Sequence, residues 1–216
     1  MIKIAPSILA ADLLNLKNEI IKVDQAGADY IHVDIMDGNY VPNITFGSNI
    51  VKSLKSITKK TLDVHLMINP VNQFIEDFVS SGADIISFHP ETEKNVKETI
   101  KKIKDLNCKC GLAIHPNIEV SNITEYLHLL DMVIVMTVVP GFGGQNFINE
   151  HVEKISELKK IKEEKNLKYE IEVDGGINMD TAKLCIEKGA DVLVAGTYIF
   201  GQPPEKYQEI INSLKL

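Results

Sequence analysis

The chain has 216 residues, of which 44% are hydrophobic and 25% charged, and its formal net charge is −7. These values are typical of a globular protein with a sizeable core. The negative charge argues against nucleic acid or an anionic membrane as the main partner, because both select concentrated positive charge. A small anionic ligand stays open, since a few backbone amides can hold a phosphate whatever the net charge.

The N-terminus and the cysteines predict a cytoplasmic location. Met1–Pro6 shows no basic region followed by a long apolar segment, as a signal peptide would. No apolar run approaches the ~20 residues that span a bilayer. The cysteines Cys108, Cys110 and Cys185 are an odd number without evident partners. This favours reduced structural thiols in a reducing compartment.

The tripeptide Gly-Ala-Asp occurs three times and marks a repeat. Its copies begin at Gly27, Gly82 and Gly189, each after an amphipathic stretch and before an apolar run. Glycine suits the left-handed position that ends a helix, so a strand is expected to follow each copy. The spacings of 55 and 107 residues fit a unit of about 27 residues, long enough for one strand and one helix. Eight such units fill the chain.

Eight apolar runs agree with that number, and their Val, Ile and Leu content is typical of strands buried on both faces. Helical patterns lie between them, for example at 72–79 and 152–162. Alternating strands and helices predict a parallel sheet with crossover helices. We therefore predict an α/β fold, a single (β/α)8 TIM barrel over residues 1–216, with an open doubly wound sheet as the alternative. The runs are Ile4–Leu9, Tyr30–Met36, Thr61–Met67, Asp84–His89, Gly111–His115, Met132–Val138, Tyr169–Asp174 and Asp191–Ala195.

Four ionisable residues stand where strands of the barrel end. His32 and Asp34 lie two apart on the second strand, His65 on the third and Asp174 on the seventh. Alternate residues of a barrel strand point inward, and catalytic groups gather at the carboxyl ends of the strands. A lone histidine on a strand is more often a packing residue. Four nitrogen and oxygen donors on one face instead favour a divalent transition metal: zinc, iron(II), manganese or cobalt.

Two further acids lie on the same faces of these strands, each two residues before one of the four. Asp63 lies beneath His65, and Glu172 lies beneath Asp174. Buried acids need partners, so both are candidates to hydrogen-bond the metal ligands. Ordinary polar packing inside the barrel is the alternative.

Glycine-rich loops follow the last three strands. Pro140–Gln145 follows the sixth strand, Gly175-Gly176 the seventh and Gly196-Thr197 the eighth. Glycines let backbone amides approach an oxyanion closely, and the last units of a barrel form a recurrent phosphate site. A single pair would indicate only a turn, whereas three in successive units predict a phosphate site.

Six segments form a specific combination that runs in order over the whole chain: Ala5–Leu9, His32–Gly38, Asp63–Met67, Met136–Val138, Pro140–Gln145 and Val173–Ile177. Together they resemble the ribulose-phosphate 3-epimerase family. The resemblance implies a (β/α)8 barrel that interconverts D-ribulose 5-phosphate and D-xylulose 5-phosphate in the pentose phosphate pathway. It also implies a homo-oligomer.

Residue by residue, the resemblance implies one divalent metal cation per subunit, with zinc ahead of iron(II), manganese or cobalt. Its ligands would be His32, Asp34, His65 and Asp174, and Asp34 and Asp174 would also be the two acid/base groups. The implied contacts to the sugar phosphate are Ser7, Met36, His65, Met67, Met136, Gly141, Phe142, Gly143, Gly144, Asp174, Gly175, Gly176, Gly196 and Thr197.

Three positions depart from the family pattern. Val139 stands where a polar residue is usual, Tyr40 where phenylalanine is common and Thr197 where serine is usual. Thr197 keeps an amide and a hydroxyl, so the departure that bears on the sugar is the one at Val139.

Other functions compete with this interpretation. A 3-epimerase of a related phosphoketose, such as D-allulose 6-phosphate, would use the same core. A metal-free decarboxylase of the orotidine-monophosphate type needs an Asp-x-Lys-x-x-Asp array, whereas the third strand contains Asp63-Val64-His65-Leu66-Met67. A catalytically silent sugar-phosphate sensor is the third alternative, and the four intact ionisable groups weigh against it.

Overall fold

The computed structural model describes residues 1–215, which form a single (β/α)8 TIM barrel. Eight parallel strands are ordered β1-β8-β7-β6-β5-β4-β3-β2 around the sheet. The strands are β1 Lys3–Pro6, β2 Tyr30–Met36, β3 Thr61–Met67, β4 Ile85–Phe88, β5 Lys109–Ile114, β6 Met132–Met136, β7 Glu170–Asp174 and β8 Val192–Ala195. The helices are α1 Leu16–Gln25, α2 Ser48–Ile57, α3 Ile75–Ser80, α4 Val96–Asp105, α5 Val152–Glu164, α6 Met179–Lys188, α7 Thr197–Phe200 and α8 Tyr207–Leu214.

The barrel closes between its first two strands through few contacts. Seven neighbouring pairs form regular parallel ladders, but β1 and β2 meet at one isolated bridge, Ser7 to His32. At the lower end of this junction Asp29 N donates to Ile4 O over 2.9 Å. The predicted barrel is confirmed, and the open sheet is not formed. No described helix is long and apolar enough to cross a membrane.

The expected alternation of strand and helix is wrong between β5 and β6. In this fully described segment the chain forms two single 3-10 turns, Val120–Asn122 and Leu127–Leu129, instead of an α-helix. Val120, Ile123 and Leu127 are buried, so the apolar spacing of a helix is kept. The segment still covers the sheet, because single turns at that spacing can bury the same side chains.

The Gly-Ala-Asp repeat performs the predicted role. Gly27, Gly82 and Gly189 have φ angles of 93°, 104° and 113° just after helices α1, α3 and α6. Left-handed backbone of this kind favours glycine because it has no Cβ. The aspartate that follows accepts a backbone N–H from the preceding strand. Asp84 Oδ2, for example, accepts from Leu62 N over 2.8 Å.

Hydrophobic side chains form two large layers and a small third group of Met36, Val41 and Met67. The larger layer lies between the sheet and the helices, and the smaller one fills the barrel interior. The interior group includes Ala5, Tyr30, Ile134 and Val192. Because alternate strand residues point inward, ionisable side chains can share this interior, and they do so at both ends of the barrel.

Candidate active site

The carboxyl ends of β2, β3 and β7 bring four side chains together at the mouth of the barrel: His32, Asp34, His65 and Asp174. One nitrogen or oxygen atom of each lies within 4.8 Å of the other three. His32 Nε2 is 3.3 Å from Asp34 Oδ1 and 3.9 Å from Asp174 Oδ2. His65 Nδ1 is 3.5 Å from the same Asp34 oxygen and 3.7 Å from the same Asp174 oxygen. Two imidazoles and two carboxylates therefore converge on one point.

These four atoms fit a divalent metal cation. His32 Nε2 and His65 Nδ1 are buried and have no hydrogen-bond partner among residues 1–215, although buried polar atoms are normally paired. Zinc binds such atoms at about 2.1 Å, which gives tetrahedral edges of roughly 3.4 Å. The four nitrogen–oxygen separations, 3.3 to 3.9 Å, are close to that value.

Neighbouring side chains orient two of the four groups. Asp63 Oδ2 lies 2.5 Å from His32 Nδ1, so it accepts the Nδ1 hydrogen and leaves an Nε2 lone pair directed at the cluster. Ser7 Oγ donates to Asp34 Oδ2 over 2.6 Å. Asp34 Oδ1 thereby remains directed at the two imidazoles.

Two threonines hold the backbone of the two acids. Thr45 Oγ1 donates to the carbonyl oxygen of Asp34 over 2.6 Å. Thr137 Oγ1 lies 2.6 Å from the carbonyl oxygen of Gly175, and Thr137 N donates to that of Asp174 over 2.8 Å. The strand ends that carry both acids are therefore fixed by hydroxyl groups outside the strands.

Charges in the cluster favour a positive group at its centre. Burial alone would raise the pKa of Asp34, but His32 and His65 outweigh it and hold the pKa well below its usual range. Burial would likewise lower the pKa of His32, but Asp34 and Asp63 outweigh it and raise the pKa well above its usual value. The buried acids thus stabilise positive charge, whether it is an imidazolium or a metal cation.

The two acids expected beneath the cluster differ from each other. Asp63 bonds His32, as the hydrogen-bonding interpretation predicted. Glu172 Oε1 is 3.5 Å from His32 Nδ1, and neither Glu172 oxygen has a hydrogen-bond partner in the described chain. Burial, with Asp63 close by, raises the pKa of Glu172 well above its ordinary value. Glu172 is therefore a buried acid whose neutral form is favoured.

His65 contacts His89, a residue that the sequence interpretation had not singled out. His89 directly follows β4, is fully buried, and places Nε2 3.0 Å from His65 Nε2. Burial, reinforced by His65 and His115, keeps the pKa of His89 well below its usual value. Its signal in the sequence was present, because His89 ends the fourth apolar run with an inward parity.

A cavity of about 360 Å³ opens above the cluster. Asp34 and Asp174 line it, whereas His32 and His65 are fully buried beneath it. Of the substrate contacts predicted from the sequence, all except His65 line the cavity. Those positions are Ser7, Met36, Met67, Met136, Gly141, Phe142, Gly143, Gly144, Asp174, Gly175, Gly176, Gly196 and Thr197.

Two different constraints explain why glycine occupies these positions at the cavity. A Cβ on Gly175 would lie 2.6 Å from Val138 Cγ2, and one on Gly176 would lie 2.8 Å from Phe147 N. Packing therefore requires these two glycines with or without an anion. Among the described residues, a Cβ on Gly144 would meet only Thr197 Cγ2, at 3.6 Å, so there the open side faces the cavity.

An anion in this cavity would meet few positive side chains. No lysine is among the described residues that line it, and the whole chain contains no arginine. The donors that remain are hydroxyl groups, backbone amides and the side-chain amides of Gln145, Asn178 and Gln202. Pro140 and Gln145, which belong to the predicted glycine-rich loop, also line the cavity. The lining residues that the sequence interpretation missed are Leu9, Ala10, Val138, Ile177, Asn178, Val194, Tyr198 and Gln202.

Two of the departures from the family pattern lie outside the lining. Val139 is 51% exposed and does not line the cavity. The Tyr40 hydroxyl donates to Glu91 Oε1 over 2.7 Å. Gln145 Nε2 donates to the carbonyl oxygens of Val139 and Phe142, both over 2.7 Å. Val139 thus acts here through its backbone, which helps to hold the loop.

Known proteins match this barrel and its motifs over nearly their whole length. A sequence model described as the Ribulose-phosphate 3 epimerase family matches residues 3–200. The ribulose-phosphate 3-epimerase of Bacillus subtilis is 48% identical over 207 residues, which cover 95% of each chain. The chain belongs to the ribulose-phosphate 3-epimerase family. The enzyme of that name from Escherichia coli K12 is 40% identical over 98% of this chain and 94% of its own.

Membership of this family makes the chain an isomerase, a carbohydrate-phosphate 3-epimerase. The relatives bear ribulose-phosphate names, and they do not favour the alternative of a D-allulose 6-phosphate epimerase. Solved structures add the fold alone. The crystal structure of KGPDC from Streptococcus mutans has a TM-score of 0.76 at 15% identity, and the match covers 100% of this chain and 96% of its own.

Proposed function

We propose that the epimerisation depends on a divalent metal and on two bases, Asp34 and Asp174, which exchange the C3 proton of ribulose 5-phosphate and xylulose 5-phosphate. The observation that carries this proposal is the convergence of two carboxylates, from β2 and β7, on the cavity above two buried imidazole nitrogens that have no hydrogen-bond partner among residues 1–215.

The proton balance requires one of the two acids, Asp34 or Asp174, to be ionised and the other to be protonated when the reaction begins. Inverting C3 requires a carboxylate that removes the proton from one face and a carboxylic acid that delivers a proton to the other face. The electron pair of the broken C–H bond moves into the adjacent carbonyl group, which gives an enediolate, and returns when the new C–H bond forms. After one turnover Asp34 and Asp174 have exchanged protonation states. The reverse reaction therefore uses the same two residues in opposite roles.

The metal ligands in this proposal are His32, Asp34, His65 and Asp174. A divalent cation bound there supplies positive charge beside the oxygen atoms that become negative during proton transfer. Two nitrogen and two oxygen donors with nearly tetrahedral separations favour zinc, while iron(II), manganese and cobalt accept the same donors.

The remaining contacts position the sugar phosphate. Met36, Met67 and Met136 line the cavity with apolar, polarisable side chains that exclude water. Backbone amides of Gly141–Gly144, Gly175-Gly176 and Gly196-Thr197 hold the phosphate, because the lining offers hydroxyl and amide donors and no lysine among the described residues.

The proposal extends to the cellular setting. The enzyme acts in the pentose phosphate pathway, in the cytoplasm and as a homo-oligomer, with no nucleic acid or membrane partner. The family resemblance supports the pathway and the assembly. The three buried free thiols, Cys108, Cys110 and Cys185, are in keeping with a reducing compartment.

One assay tests the proposal. The enzyme is stripped of metal, its metal content is checked by elemental analysis, and zinc, iron(II), manganese and cobalt are restored one at a time. We expect turnover to be lost and then regained, with a higher kcat/KM on ribulose 5-phosphate than on D-allulose 6-phosphate. Full activity in rigorously metal-free protein would refute metal dependence. A preference for D-allulose 6-phosphate would overturn the assigned substrate.

A further inference from the structure

His89 lies directly behind one of the proposed metal ligands. Its Nε2 is 3.0 Å from His65 Nε2, and the two ring centroids are 5.0 Å apart at an interplanar angle of 35°. The other nitrogen of His65, Nδ1, faces Asp34 and Asp174 and has no hydrogen-bond partner among the residues described. His65 therefore presents one nitrogen to the cluster and the other to His89.

A contact of 3.0 Å between two imidazole nitrogens needs one hydrogen between them. If His65 carries it on Nε2, then His65 Nδ1 keeps a lone pair toward the cluster. If His89 carries it, neutral His65 holds its hydrogen on Nδ1, where it blocks a metal. Only the first arrangement allows His65 to be a ligand, and it requires His89 Nε2 to be the acceptor.

The surroundings of His89 suit a neutral acceptor with its hydrogen on Nδ1. The ring is fully buried, and the ring of Tyr40 covers it with centroids 4.9 Å apart. Glu91 Oε1 lies 3.8 Å from His89 Nδ1, beyond hydrogen-bond distance, and Nδ1 has no hydrogen-bond partner among residues 1–215. Thr92 N and Oγ1 both bond the His89 carbonyl oxygen, at 3.0 and 2.6 Å. The turn that carries the ring is therefore fixed.

We propose that His89 is a positioning residue that accepts the Nε2 hydrogen of His65 and thereby directs the His65 Nδ1 lone pair toward the metal. This inference rests on the proposed function, because it assumes the metal site. The second ligand histidine, His32, has the same kind of support from Asp63. One ligand is thus oriented by a carboxylate and the other by a neutral imidazole.

Two variants test the acceptor role. His89→Leu removes the acceptor and keeps most of the volume, whereas His89→Gln can place its amide oxygen near the position of Nε2. Loss of such a partner usually weakens metal binding about 10- to 100-fold. We expect that increase in the zinc dissociation constant, measured by chelator competition, for His89→Leu, and restored binding for His89→Gln. The absorption spectrum of the cobalt(II)-loaded enzyme should differ from that of the wild type in His89→Leu and be restored in His89→Gln.

Wild-type protein supplies a test that does not depend on how a variant folds. Nitrogen-15 NMR of histidine side chains in the zinc-loaded enzyme reports the tautomer of each of the six histidines. We expect a hydrogen on His65 Nε2 and on His89 Nδ1. A hydrogen on His89 Nε2, or His89→Leu with wild-type zinc affinity, would overturn the inference.

The same titrations separate this inference from the metal site itself. If wild-type protein binds one zinc and His65→Ala loses it, the site stands, and an unchanged His89→Leu then refutes the role of His89 alone. If wild-type protein binds no zinc, iron(II), manganese or cobalt, the proposed function fails and the inference fails with it. The exposed residue His128 provides a control, since His128→Leu should bind zinc as the wild type does.

Discussion

The two ends of the barrel interior each hold a cluster of ionisable side chains, and the clusters differ in how completely they are paired. At the lower end Tyr30 OH donates to Glu170 Oε2 over 2.7 Å, and Lys3 Nζ donates to Tyr30 OH over 2.6 Å and also bonds Glu170. At the mouth, His32 Nε2 and His65 Nδ1 have no hydrogen-bond partner in the described chain. The same two strands, β2 and β7, contribute to both clusters.

This difference separates packing from function. A fully paired, partly buried network such as the lower cluster stabilises the fold and needs nothing from outside. A cluster with buried unpaired atoms costs stability unless a ligand completes it. Matched substitutions at the two ends of the same strand should therefore differ in their consequences. A substitution at the mouth should lower turnover, and one at the lower end should lower the free energy of unfolding.

The largest effect on kcat is expected on β7, where a substitution at the mouth can be compared with one at the other end of the same strand. Asp174→Asn removes one of the two proposed bases and should lower kcat by about 10²- to 10⁴-fold, with lost metal affinity adding to this. Asp34→Asn should do the same from β2. Glu170→Gln, at the other end of β7, should leave kcat within about twofold, because Glu170 is remote from the cavity.

Solvent exchange sharpens this comparison. An Asp34→Asn or Asp174→Asn enzyme that retains metal is expected to exchange the C3 proton of only one epimer with deuterium, since one base remains. NMR of each sugar in deuterated buffer measures this exchange. Net epimerisation near the wild-type rate by either variant would refute the two-base scheme.

The next effect concerns the unpaired nitrogen of His65. Replacing His65 by alanine removes a ligand, so zinc affinity should fall by at least about 100-fold, more than for a supporting residue. Elemental analysis after dialysis measures occupancy, and the assay measures turnover. Lower turnover at full occupancy would instead make His65 a sugar contact and not a ligand.

A smaller effect is expected at the glycine-rich loop Gly141–Gly144, which is proposed to hold the phosphate. Gly144→Val places a branched side chain at a φ of 72° beside the cavity, and we expect KM for the phosphorylated sugar to rise about tenfold, as for one lost charge-assisted hydrogen bond. Gly27→Val is the control: its φ is 93° and no atom of residues 1–215 would lie within 4 Å of the new Cβ. It carries similar backbone strain far from the cavity and should leave KM unchanged. Equal KM values for both variants would place the phosphate elsewhere.

The smallest effect is expected at the lower cluster. Tyr30→Phe removes the hydroxyl that joins Lys3 to Glu170, and it should lower the free energy of unfolding by about 1 kcal/mol. Activity should not change, because the cavity lies at the other end of the strand. Chemical denaturation and the epimerase assay together test this, and a lower kcat without lost stability would contradict it.

Local patterns along the chain were enough for much of this structure. The strand count, the inward parity of His32, Asp34 and His65, and the glycine that ends each Gly-Ala-Asp helix all depend on a few neighbouring residues. The limits of that approach appear between β5 and β6, where apolar spacing predicted a helix and the chain forms single turns. There the same side chains are buried by either conformation, so the pattern could not discriminate between them.

The sequence by itself determined the barrel, the family and the residues of the mouth, because each depends on periodicity and motifs that can be read along one chain. Only the tertiary structure decided which inward side chain meets which. Parity placed His65 inside, and His89 has the same parity although it was not singled out, but their contact depends on the stagger between β3 and β4, where His65 pairs with Ser87. That stagger is a property of the closed ring of strands. For the same reason Asp63, which neighbours His65 in the sequence, bonds His32 across the β2–β3 pair.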